Sequence, residues 1–143
     1  TDTTPNSQAL PLHLDLLFPN EVERLARNEN RADFIPIIGN HQAKASANTY
    51  ERYASLVELP TLKFVIPQGL EADPLLADFG RSDHAPFWDY DYPALLLSDT
   101  AELRNPNYHC RQGIDSIETL DIPFAMKVVQ ALVGTVVEGL AAK

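Results

Sequence analysis

Cysteine is nearly missing from this chain: Cys110 stands alone among 143 residues. A single thiol excludes an intrachain disulfide framework and leaves the redox compartment open. Basic residues are also scarce. Eleven Lys and Arg face twenty Asp and Glu, a formal net charge of -9, and the eleven are scattered along the sequence. That balance argues against a nucleic-acid backbone or an anionic membrane as partner, since both need clustered positive charge. No apolar run reads as long enough to span a bilayer, and no signal-peptide pattern opens the chain. The compartment is therefore left unassigned. No phosphate-cradling glycine loop, nucleophile elbow or H-E-x-x-H helix is found. Those gaps exclude P-loop enzymes, kinases, serine hydrolases of the elbow type and the common zincins. The first residue is Thr1 rather than methionine, as in a processed product or an excised piece.

What is present reads as one domain over residues 1–143, with 45% hydrophobic and 22% charged residues. A chain of this length buries roughly 68–70% of its unfolded surface. Residues 1–12 are polar and proline-punctuated, an extended lead-in. Asn20 with Glu23 has the capping-box spacing for a helix over 21–28. Residues 34–38, closed by Gly39-Asn40, predict a strand that Pro36 should confine to an edge or a bulge. Asn48 with Glu51 repeats the capping box for a helix to about residue 57. Residues 62–66 are β-favouring and stop at Pro67. Asp73-Pro74 opens a short helix that Gly80 ends, and Ser82 is a cap for a further turn through Tyr90. Residues 94–97 form a third strand. From Asp121 onward, Phe124, Val128, Leu132, Val136 and Leu140 recur every four residues, a helix expected to lie on a sheet, with Gly134 and Gly139 allowing close approach. Strands alternating with helices predict an α/β layered fold.

The polar residues concentrate around the third strand. Ser82, Asp83 and His84 precede it, with Phe87, Trp88, Tyr90 and Tyr92 between; Tyr108 and His109 follow it. A neutral imidazole binds zinc, and a neighbouring phenol donates a hydrogen bond to a developing oxyanion, although spacing alone reads Tyr108-His109 somewhat more readily as surface or structural residues. Asp83 beside His84 is a carboxylate placed either to orient a ligand or to cap a helix. The aromatic cluster reads more readily as core than as a substrate pocket. His13-Leu-Asp15 has an H-x-D form that chance readily produces, and His41 has no evident partner. Cys110 beside His109 is a weak nucleophile pair, since sequence neighbours seldom point into one site; a buried, inert thiol is expected.

Taken together, the segments resemble the later portion of the two-zinc aminopeptidases (the aminopeptidase Y family, metallopeptidase family twenty-eight), relatives of bacterial leucyl aminopeptidases, glutamate carboxypeptidase and glutaminyl cyclase. Ser82-Asp-His-Ala-Pro-Phe87 is similar to that family's S-D-H-x-x-F segment. Tyr92-Pro-Ala94 resembles its G-x-P-A lead into a strand, and Asn105-Pro-Asn-Tyr-His109 its N-P-x-Y-H motif. Asp115-Ser-Ile-Glu-Thr-Leu-Asp121 resembles the D-T-x-D-T-L-D before the last helix. Ser7-Gln8 with Pro11, and then residues 33–40, are similar to the segments downstream of its E-M-I-G-Y strand.

The resemblance implies a three-layer α/β/α sandwich on a mixed sheet, of which this chain is the C-terminal portion. It also implies a zinc-dependent exopeptidase acting on peptides. His109 would be a zinc ligand and Tyr108 the phenol that steadies the tetrahedral oxyanion; Ser82, Asp83 and His84 would line the pocket or support its ligands. Departures accompany the matches. The family's bridging aspartate and Glu-Glu pair have no counterpart, no two glutamates being adjacent anywhere. His13-Leu-Asp15 imitates the H-x-D ligand motif at the wrong place in the order. Five residues separate His109 from Asp115 where the family has three. With most zinc ligands absent, the chain alone is expected to be inactive and to bind no stoichiometric zinc, and a half-sandwich is expected to form a homo-oligomer or to need an N-terminal portion. A non-catalytic α/β binding module of the same fold is the alternative, and a Cys110–His hydrolase a third.

Overall fold

Every residue of strand β1 (Ile35–Asn40) is buried, because structure covers both of its faces. The structure, a computed structural model, describes residues 14–100, 105 and 107–141. Around β1 lie helices α1 (Leu14–Leu17), α2 (Pro19–Arg27) and α3 (Lys44–Leu56), strand β2 (Thr61–Ile66), helix α4 (Ala85–Asp89), strand β3 (Leu95–Leu97) and helix α5 (Ile122–Ala141). The sheet order is β2-β1-β3. β2 runs parallel to β1, with Ile35 opposite Thr61 and Asn40 opposite Ile66. β3 runs antiparallel, with Ile37 opposite Leu97 and Gly39 opposite Leu95. This is a mixed sheet flanked by helices, the α/β layering that the alternation of elements predicts.

Side chains alternate across the strand and so build two cores. Ile35 and Ile37 meet Ala47, Tyr50 and Ala54 of α3 and Ala131 of α5. On the other face Phe34 and Ile38 join Phe18, Leu62, Phe64, Ile66 and Trp88. Phe18 and Phe64 pack edge to face at 5.2 Å and 86°, a geometry that favours the ring quadrupoles. Burial of Tyr50 pushes its phenol pKa up to about 12. At Gly39 an added Cβ would lie 2.6 Å from a Leu95 methyl carbon, so glycine lets β3 approach.

Several local expectations are corrected. β1 is the central strand, yet it contains Pro36. The proline faces β3 beyond the last ladder pair, Ile37 with Leu97, where only its carbonyl is used, accepting from Ser98 N; the missing N–H therefore breaks no rung. α2 starts at Pro19, with no side-chain cap bond, so Asn20 and Glu23 form no capping box. The fixed φ of proline at the first helical turn starts the helix instead. Asn48 and Glu51 lie inside α3, where both accept from Lys63 Nζ on β2, Asn48 Oδ1 at 2.8 Å. Ser82 does not cap α4 with its side chain. Asp73 does cap its segment, accepting from Leu75 N at 2.8 Å, but Pro74–Gly80 is a 3₁₀ helix.

α5 packs chiefly on α3 rather than on the sheet. Only Phe124, Val128 and Ala131 reach the shared core, while Leu132, Val136 and Leu140 are exposed. A strict four-residue repeat advances 400° against the 360° of a turn, so the stripe drifts around the helix. Averaged over its length, α5 is also long and apolar enough to cross a membrane by length and composition, contrary to the sequence reading. Lys127 and Glu138 interrupt the run in sequence, but both turn toward neighbouring protein. Lys127 Nζ donates to Glu58 O at 3.1 Å, and Glu138 pairs with Arg52 and accepts from Tyr53 Oη at 3.0 Å.

The expectation for Gly134 holds: a Cβ there would lie 2.4 Å from the Tyr53 ring. Gly139 has open space around it. Replacing a helical glycine normally gains about 1 kcal/mol in propensity. Gly134→Leu is nevertheless expected to destabilise the chain by about 1–3 kcal/mol through overpacking of α3 against α5, a fall of about 2–8 °C in Tm. Thermal circular dichroism reads this directly; a raised Tm would show that Tyr53 simply moves aside.

Candidate functional site

The Tyr108–His109 pair sits on a turn whose backbone does most of the positioning. The chain leaves β3 at Leu97, which, because β3 is antiparallel, lies beside the amino-terminal half of β1. Asn105 then organises the turn. Its Oδ1 accepts from Asn107 N at 2.9 Å and its carbonyl from Tyr108 N at 3.1 Å. Tyr108–Cys110 forms a 3₁₀ turn in which His109 and Cys110 have φ of 54° and 58°. Two successive non-glycine residues in the left-handed region cost of order 1–3 kcal/mol each and collect at functional sites. A Cβ on Gly113 would lie 2.8 Å from Asn107 Oδ1, so glycine allows the loop to fold back onto the turn. The Tyr108 and His109 rings meet edge to face at 4.2 Å and 78°. Tyr108 is half-buried and His109 exposed, which leaves the imidazole accessible to a ligand.

The Ser82–His84 group has a different setting. Ser82 and Asp83 are exposed. His84 is 6 % exposed and is committed to the fold. Its Nε2 lies 2.6 Å from Phe79 O, and its ring meets Trp88 edge to face at 4.4 Å. Trp88 Nε1 in turn donates to Ala94 O at 3.1 Å. Burial lowers the His84 pKa below the ordinary imidazole value, outweighing the Phe79 carbonyl and the Asp83 charge. With Nε2 donating, Nδ1 is a buried acceptor without a partner among the described residues. This group is anchored before β3 begins, whereas Tyr108 and His109 follow its end. The ring contacts hold each group together and do not join one to the other.

Sequence reasoning missed a third pair. His41 Nδ1 lies 3.2 Å from Glu71 Oε1, and Glu71 Oε2 accepts from Gly69 N at 2.7 Å. Burial pushes the Glu71 carboxyl up, but its own backbone N–H, His41 and Gly69 N together hold it below the usual range. His41 follows β1 and Glu71 follows β2, so the parallel register brings the two strand ends together. A separation of 30 residues leaves no local signal for the pair.

Cys110 is exposed, not the buried thiol expected from sequence; the left-handed turn carries it outward with His109. Among the described residues no three of His, Cys, Asp and Glu are grouped to hold a metal ion. His13 of the H-x-D candidate lies outside the described residues. Catalytic zinc takes three protein ligands and water, so the described residues do not by themselves fit such an ion.

No protein-family profile matches the chain, and no solved structure matches it. It is 28% identical over 109 residues to YfbL of Escherichia coli (strain K12), an uncharacterized protein, covering 76% of this chain and 29% of that protein. The chain thus spans less than a third of the length of this relative.

Proposed function

We propose that this chain is an α/β module, without catalytic activity of its own, that carries one wall of a two-zinc exopeptidase site. The observation carrying this reading is the exposed His109 imidazole, edge-packed on Tyr108 and held by a left-handed turn beyond the carboxyl end of β3. The N-P-x-Y-H resemblance supports it, as does a relative more than three times as long as the matched segment. The outer edge of the three-leucine β3 supports it too. Among the described residues β3 pairs with β1 alone, leaving a row of backbone groups to which further strands can add. In this reading the chain offers a zinc ligand and a hydrogen-bond donor. The remaining ligands come from other polypeptide, and peptide is the substrate of the completed site.

Plain binding without any metal role is the second reading, favoured by there being no cluster of three His, Cys, Asp or Glu among the described residues. Zinc titration followed by histidine ring resonances separates the two. The exopeptidase wall predicts that His109 shifts first, with weak affinity, and that His109→Ala removes the response. It also predicts no turnover of a leucine anilide by this chain. A first response at His41, or at no histidine, eliminates the wall; tight stoichiometric zinc with turnover eliminates the non-catalytic module.

A further inference from the structure

One face of α5 is built for a partner. The helix packs on α3 and the sheet through Phe124, Val128 and Ala131. Nearly opposite runs a second stripe, Ile122, Met126, Val129, Val133, Val136 and Leu140, whose six members are 50% to 65% exposed. Their spacing alternates four and three, the heptad rhythm that keeps an apolar seam facing a second helix. The charged residues of α5, Lys127 and Glu138, are engaged by Glu58 O and by Arg52 with Tyr53. No charged side chain lies in the free seam. A helix apolar all round is a buried helix, and here one side is uncovered.

We propose that this seam pairs two copies of the 143-residue chain about a two-fold axis, α5 against α5. The surface is uncharged in a molecule of net charge -9, so it is where two such molecules meet without mutual repulsion. An isologous contact needs a self-complementary patch, and an uninterrupted apolar stripe is one. The six side chains and their flanks Leu132 and Val137 expose roughly 600–800 Å², near the 800 Å² or so that each partner gives a standard interface. That is also beyond the largest patch of about 300–600 Å² on a typical monomer. A lipid surface fits less well. In-plane helices carry lysine and arginine on their polar face, whereas this chain is acidic and Lys127 is already engaged. The inference concerns the association of this chain and is independent of the zinc-wall reading.

Light scattering after size exclusion, at micromolar concentration, tests it. The wild-type chain is expected at twice its 15.9 kDa mass. Val133→Glu, which sets two carboxylates facing each other across the axis, should weaken association at least about a hundredfold and return the monomer with unchanged circular dichroism. Val133→Ala should remain dimeric. A monomeric wild-type chain, open-ended aggregation, a dimer indifferent to Val133→Glu, or a monomer that floats with phosphatidylcholine vesicles would each overturn the proposal. So would a longer natural polypeptide in which this segment is monomeric and Val133→Glu lowers Tm by several degrees, since the cover would then be intramolecular.

Discussion

Asn40→Ala is expected to cost about 2–4 kcal/mol, far more than an amide at the end of a strand would normally imply. The side chain is 2 % exposed and makes three connections at once. Its Oδ1 accepts from Ala43 N at 3.2 Å and, more weakly, from Ala94 N at 3.4 Å; its Nδ2 donates to Tyr92 O at 3.0 Å. One amide therefore caps the turn that starts α3 and fixes the approach of the chain to β3. Alanine leaves buried backbone groups unpaired, which is costlier than losing both partners together. Asn40→Asp separates the two halves of the amide. It retains the acceptor but turns an anionic oxygen toward Tyr92 O in a buried site, so burial raises the new carboxyl's pKa. A raised carboxyl pKa means that the unfolded chain releases the proton first, and stability falls as pH rises through the carboxylate range. Urea midpoints should place Asn40→Asp closer to wild type at pH near 4 than at pH 7. Equal deficits at both would show that the donor to Tyr92 contributes little.

Asn40 also marks the limit of what the sequence disclosed. Signals that act locally were legible. The β-rich run at 62–66, the leucines of β3, and Asp73 with Pro74 each carry their meaning in adjacent residues. Asp121 belongs with them, capping α5 by accepting from Phe124 N at 3.0 Å. Where two local signals competed, the wrong one was easy to read. The Asn48–Glu51 spacing fits a capping box, yet both side chains turn to Lys63 on the neighbouring strand, and Asn40 starts the helical segment several residues earlier. Pro36 argues against a central strand until the short partner β3 is known, because only then is there no rung at that position for it to break.

At the candidate site the same division holds. Tyr108 and His109 are visible as a motif, but their left-handed turn is not, and that turn decides that His109 and Cys110 face outward. His84 is placed in a pocket by the S-D-H-x-x-F resemblance. Its ring is held by Phe79 O and the Trp88 indole, five and four residues away along the chain, local contacts that no motif announces. The His41–Glu71 pair depends on β1 and β2 being parallel and in register. The first two are local geometry and the third is long-range pairing, and each bears on the chemistry assigned to a histidine.

The Trp88 corner should show the second large effect. Trp88 is the chain's only tryptophan, directed from α4 into the core, with its indole nitrogen tied to Ala94 O. Trp88→Ala is expected to cost about 3–5 kcal/mol, read by urea unfolding in far-ultraviolet circular dichroism. It should also release His84, whose lowered pKa depends on the burial that the indole supplies. The unfolded chain binds the imidazole proton more readily than the folded one, so this contribution is present above about pH 6.5. It is lost as pH falls through the depressed folded value. Wild-type stability should therefore drop between pH 7 and pH 5 more steeply than that of His84→Gln, which has nothing to protonate. In wild type the tryptophan emission should shift to the red over the same interval, because the indole packs on the ring that must charge. A parallel pH dependence in wild type and His84→Gln would assign the acid sensitivity to the carboxylates instead, and would leave His84 Nδ1 satisfied by a bound water that holds the ring neutral.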